Sequence, residues 1–163
     1  MKTANRRTAE KGQRTPHAID AYGEKGGVKG DAYCPCGMLF RNKRWLREEN
    51  DTGRREGHKH VCPACRRAAD RNPAGIVSLS GEFFAVHETD VLNQVVSTTL
   101  ESIAKNPLGR VMGLVREQGR VTITTTDVKL AQKIGRDVLR SQGGELHFTW
   151  SHAGDPVRVT WFR

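Results

Sequence analysis

Apolar positions along this chain change their spacing several times, and each change marks an element. From residue 73 onward, GIVSLSGEFFAV opens with a short apolar run that reads as a strand followed by a turn. Val91, Leu92, Val95, Val96, Leu100 and Ile103 then recur at helical spacing, and the pattern stops at Asn106-Pro107 with Gly109 beyond. RVMGLVREQGRVTITTT reads as two strands joined at Gln118-Gly119, because Val121, Ile123 and Thr125 alternate with Thr122 and Thr124. A second helix follows, capped by Thr126 or Asp127, with Leu130, Ala131, Ile134 and Val138 as its apolar stripe and Gly143-Gly144 as its stop. Leu146, Phe148 and Trp150 alternate, a turn is expected at Gly154-Asp155-Pro156, and Val157, Val159 and Trp161 alternate again. The predicted order is β-α-β-β-α-β-β. Helices on one face of a mostly antiparallel sheet give an α+β two-layer sandwich, ferredoxin-like with an added strand.

Upstream of residue 73 this patterning fails. Residues 1–32 carry almost no large apolar side chains and read as a flexible basic tail. Their GEKGGVKG run lacks both the Gly-Lys-Ser/Thr ending and the preceding strand of a phosphate-binding loop. Residues 33–72 pass from the semi-apolar GMLFRNKRWL through a charged loop to HKHVCPACRR. Short strands around a polar loop are expected there, with too little apolar area for a core of their own, so another staple is required. The expected organisation is a tail over 1–32, a zinc ribbon over 33–72 and the α+β sandwich over 73–163.

Cysteine usage supplies the staple. The four cysteines form two close pairs, Cys34-Pro35-Cys36 and Cys62-Pro63-Ala64-Cys65. Two such pairs suit a tetrahedral Zn²⁺ closed by sulfur, a structural rather than a catalytic site. CPAC has the spacing of a zinc knuckle, whereas CPC is one residue short. That makes Cys36 the ligand most open to replacement by His58 or His60, which otherwise read as exposed polar residues. A thiol redox role for Cys62 and Cys65 is the competing reading, but no thioredoxin-like β-α-β unit surrounds them.

Charge adds a partner class. The 163 residues carry net charge +9, with 36% hydrophobic and 6% aromatic residues that point to a modest core. Residues 1–33 hold 7 Lys/Arg against 4 Asp/Glu (+3), residues 34–75 hold 10 against 5 (+5), and residues 76–163 hold 10 against 9 (+1). Four thiolates on Zn²⁺ would lower the middle value to about +3, leaving a cationic surface beyond what the metal needs. Arg41, Lys43, Arg44, Arg47, Arg54, Arg55, Lys59, Arg66 and Arg67 are the candidate phosphate contacts, and Trp45, within RNKRWLR, either stacks on an unpaired base or packs the ribbon. RNA is the expected partner. Arg120, Thr122, Thr124, His147, Thr149, Arg158 and Thr160 would form a polar outer sheet face without the aromatic pair of an RNA-recognition motif.

No long apolar run suggests a membrane span or a signal peptide, so a cytoplasmic setting is expected, with cysteines kept reduced. Serines, His87, His147 and His152 show no spacing that assembles a hydrolytic site, and nothing points to a small-molecule substrate. The reading is therefore not an enzyme. A zinc-ribbon DNA-binding regulator shares the charge pattern but lacks an identifiable recognition helix.

NPAGIVSLSGEFF, NPLGRVMGL, TTTDVKLAQKIGRDVLRSQGGELHFTW and VRVTWFR resemble the N-terminal region of the nonsense-mediated-decay-protein-three family, which includes the export adaptor of the large ribosomal subunit and short bacterial and archaeal relatives. The resemblance spans residues 33–163 and is most specific at the TTTD-helix-GGEL run. It implies zinc held by Cys34, Cys36, Cys62 and Cys65, and association with the large ribosomal subunit, its RNA or ribosomal proteins. The chain departs from the family in its shortened first pair and lacks the further domains of the longer members.

Overall fold

The computed structural model describes residues 6–7, 20–24, 26–47, 57–150 and 156–163. In chain order its elements are β1 (Arg6–Arg7), β2 (Ala32–Tyr33), β3 (Met38–Arg41), β4 (Arg44–Arg47), β5 (His58–Lys59), α1 (Pro63–Ala69), β6 (Gly75–Ser80), α2 (Glu82–Lys105), β7 (Val111–Glu117), β8 (Arg120–Thr125), α3 (Val128–Gln142), β9 (Glu145–Thr149) and β10 (Val157–Phe162). Most of the expected tail, and the turn at Gly154-Asp155, lie outside the described residues.

Elements β6 to β10 follow the predicted order and build an α+β two-layer sandwich. Its sheet runs β1-β9-β10-β6-β8-β7. Alternation decides the faces: Val77 and Leu79, Val121 and Ile123, Leu146 and Phe148, and Val157, Val159 and Trp161 are buried. The opposite face carries the row Thr122, Ser78, Thr160 and His147, brought into register across four strands.

The added strand enters the sheet rather than extending its edge. In a ferredoxin-like sheet the strand after the second helix lies beside the first strand. Here β9 is displaced outward, and β10 takes that slot, antiparallel to β9 and parallel to β6. The exchange follows the apolar content of the two strands, since β10 buries Val157, Val159 and Trp161 whereas β9 buries only Leu146 and Phe148. The more apolar strand takes the more covered position.

Helix α3 approaches the sheet closely because small residues stand at the contact. A Cβ on Gly75 would lie 2.4 Å from the Ala131 Cβ and 2.7 Å from the Thr125 Oγ1, and a Cβ on Gly135 would lie 2.5 Å from a Val159 methyl. Asp127 caps α3 by accepting from the Leu130 N–H at 3.1 Å, as the sequence predicts.

Helix α2 differs from its expectation at both ends of the apolar pattern. It begins directly after Gly81, so Phe83 and Phe84 are helical rather than part of a turn, and Phe84 is fully buried against Trp161. Farther along, Val91 and Val95 face the core, but Val96 and Leu100 are 57% and 64% exposed. The apolar stripe is wider than the surface that α3 and the sheet cover. No helix among the described residues is long and apolar enough to cross a membrane.

The N-terminal strands form a separate sheet of order β4-β3-β2-β5. Contrary to the expectation of a coreless ribbon, Ala32, Met38, Phe40, Trp45 and Ala64 pack with Cys34 and Cys62 into a small buried cluster. Phe40 meets Trp45 edge to face at 5.3 Å. Residues 20–24, assigned by sequence to the tail, lie against α1: Arg67 donates to Asp20 at 2.6 Å and covers the Tyr22 ring, and Arg66 donates to Glu24 at 2.6 Å.

If the Gly75–Ala131 contact sets the spacing of helix and sheet, Gly75→Ala should destabilise the chain by about 1–3 kcal/mol in urea unfolding. Combining it with Ala131→Gly, which alone costs about 1 kcal/mol of helix propensity, should lose less than the sum of the two.

Candidate metal centre

Two chain turns deliver the sulfurs. The first is the short CPC pair, closed by the Gly37 N–H donating to the Cys34 carbonyl at 3.0 Å and by the Cys34 N–H donating to the Met38 carbonyl at 2.8 Å. Gly37 holds φ 91°, which L side chains rarely adopt. The second is the start of α1, with Cys62 at the N-cap, Pro63 in the first turn and Cys65 one turn on. The helix at CPACRR was missed in the sequence reading because seven residues give too short a span for periodicity to register.

These turns bring Cys34, Cys36, Cys62 and Cys65 together with all four Sγ atoms within 4.8 Å of one another. Cys36 and Cys62 are 3.8 Å apart at sulfur. A tetrahedron of sulfurs about 2.3 Å from a central ion has edges of about 3.8 Å, so this donor set fits a divalent metal such as zinc. The missing residue in the first pair does not exclude Cys36. His58 and His60 take no part in the cluster; His60 instead stacks on Trp45 and pairs with Glu24 at 3.2 Å.

One side chain from outside the small sheet contributes to the electrostatics of the cluster. Arg110 reaches across with Nη2 at 3.5 Å from Cys36 and 3.9 Å from Cys62, and Nη1 at 3.7 Å from Cys65. The fourth sulfur, Cys34, accepts from the Cys62 backbone N–H at 3.3 Å. Burial alone would push the Cys36 thiol up, but the Arg110 hydrogen bond and the Met38 backbone more than reverse it, to about 6. Cys62 and Cys65 are pushed up, first by burial. Arg110 itself is held charged, since the sulfurs outweigh the cost of its burial.

Arg110 is anchored by the motif that the resemblance singled out. Thr126 donates its hydroxyl to the Leu108 carbonyl at 2.6 Å and accepts from the Arg110 N–H at 2.8 Å, while the Thr126 N–H donates to the Arg110 carbonyl at 2.9 Å. Arg110 Nε also donates to the Pro107 carbonyl at 3.0 Å. In the sequence TTTD reads as a strand end and a helix cap, because nothing local indicates that Thr126 clamps a residue sixteen positions upstream.

The predicted cations separate into two groups. Arg66 and Arg67, predicted as phosphate contacts, are engaged by Glu24, Asp20 and the Asn72 carbonyl. Arg41 pairs with Asp31 at 3.6 Å. Trp45 is 8% exposed, so of its two expected roles it fills the packing one and offers no face to a base. Lys43, Arg44, Arg47 and Lys59 are exposed and have no ion-pair or hydrogen-bond partner among the described residues. Arg54 and Arg55 lie outside the described residues.

A metal-loaded chain should contain one ion, with thiols that resist alkylation until a chelator is added. Arg110→Met should weaken metal affinity about 10- to 100-fold. Because Arg110 lowers the proton affinity of Cys36, its removal favours the protonated thiol. Acid release of the metal, followed with a chromophoric chelator, should then occur at higher pH in the variant than in the wild type.

Comparison with known proteins found no matching family model, no similar curated protein and no similar solved structure.

Proposed function

We propose that this chain is a non-enzymatic zinc-ribbon RNA-binding protein associated with the large ribosomal subunit or its RNA. The observation that carries the reading is a four-sulfur centre fixing a hairpin whose exposed cations have no partner among the described residues. Asn42 and Lys43 form the two-residue turn between β3 and β4 at φ 50° and 62°. A turn with both residues in the left-handed region favours Asn-Gly, and lysine at the second position costs about 1 kcal/mol. A cation kept at the hairpin tip against that preference supports a role in binding.

Structural zinc would close the sulfur set, hold β2, β3 and α1 together, and supply no catalytic step. The thiol redox alternative rests on Cys62 and Cys65, and Cys62 does not suit it. Cys62 is fully buried, whereas a redox nucleophile needs an accessible thiolate. The DNA-regulator alternative is likewise not favoured, since α1 has seven residues and uses Arg66 and Arg67 internally. The resemblance in the TTTD and NPLGR segments supports ribosome association in particular, and a cytoplasmic setting follows from it.

Affinity for single-stranded RNA should fall steeply as salt rises, and Lys43→Glu with Arg44→Glu should reduce the log-log salt slope by about 1.4. Lys43→Gly separates binding from folding: it should raise thermal stability while weakening RNA affinity. A flat salt response, or unchanged co-sedimentation of the double variant with large subunits, would count against the proposal.

A further inference from the structure

A cleft of about 370 Å³ lies where the ribbon meets the larger domain, beside the sulfur cluster. Tyr33, Leu39 and Arg47 line it from the ribbon, and Ile103, Pro107 and Arg110 from the end of α2 and the segment before β7. Its volume is at the small end of sites that take a small ligand, about 300–1,000 Å³. It therefore has room for a ligand of about nucleotide size.

The chemistry of the lining narrows the occupant. Ile103 and Pro107 present apolar surface to a flat, weakly solvated group, with Tyr33 and the nearly buried Leu39 as further lining. A free inorganic anion would leave that surface unused. Arg47 is exposed and has no partner among the described residues, so an uncharged apolar molecule would leave its guanidinium idle. Arg110 lines the same cleft but is turned toward three sulfurs, and it screens the ligand from the negative charge of a metal-thiolate centre. A planar group joined to a phosphate meets all of these conditions at once.

We propose that one unpaired nucleotide of the bound RNA enters this cleft, its base against Ile103 and Pro107 and its phosphate on Arg47. This inference rests on the RNA-binding reading above and adds a site to it. The hairpin cations hold the strand without regard to sequence, whereas the cleft requires an extruded base, so the protein prefers single-stranded or bulged RNA to a duplex. Because the CPC turn forms one wall, the cleft also links base binding to an intact metal centre.

The test uses the metal-loaded full chain and an eight-residue oligouridine carrying one 4-thiouridine. The variants are Arg47→Ala, at an exposed position, and Ile103→Trp, which fills the cleft; metal content and melting temperature establish that each is folded. The expected result is a photo-crosslink on the peptide containing Tyr33 or Ile103, an affinity loss of roughly tenfold in each variant, and weaker competition by duplex RNA. Tight, salt-sensitive binding that is unchanged by Ile103→Trp, with crosslinks confined to the hairpin, would overturn the cleft while leaving the RNA-binding reading intact. Failure of the wild-type chain to bind the oligonucleotide at low salt would overturn both.

Discussion

The arrangement turns on the contact between the Arg110 guanidinium and three of the four clustered sulfurs. Four thiolates crowded within 4.8 Å repel one another strongly, and a divalent ion cancels only half of their charge. A fixed cation beside them lowers the remaining cost. Because that cation belongs to the segment before β7, the same contact docks the small sheet on the sandwich. Thr126 then transmits the position to α3, whose cap follows one residue later. Metal centre, domain junction and helix start are thus parts of one hydrogen-bonded chain.

Within the ribbon, stability is divided between sulfur chemistry and a few buried side chains. Phe40, Trp45 and Met38 pack around Cys34 and Cys62, so the ligands themselves belong to the apolar cluster. Residues 20–24 close the outer side of α1 through Asp20 and Glu24. These carboxylates neutralise Arg66 and Arg67. The net charge of this region consequently overstates the cations available to a partner.

Of the predicted contacts that have no partner among the described residues, three lie on one hairpin and Lys59 on β5. Lys43, Arg44 and Arg47 sit on the β3–β4 hairpin, and Arg47 also lines the cleft between the small sheet and the end of α2. A cationic hairpin beside a half-apolar cleft is the geometry on which the proposed RNA contact rests. The outer face of the larger sheet, with its row of hydroxyl side chains, has a different character and lacks such a concentration of charge.

Alternation and helical spacing made the sandwich legible from β6 to β10, because most apolar side chains face the core layer whatever the strand order; Val96 and Leu100 on α2 and Leu114 and Val115 on β7 are among the exposed exceptions. The two cysteine pairs likewise announced a metal-binding cluster, since few arrangements bring four thiols together for another purpose. What the sequence determined by itself was therefore local: period, cap, turn and ligand type. Only the tertiary structure placed β10 inside the sheet, buried Trp45, engaged Arg66 and Arg67 with the upstream segment, and brought Arg110 to the sulfurs. Each of these depends on contacts between residues far apart in the chain, whose partners are chosen by competition for buried area and opposite charge and leave no periodic trace along it.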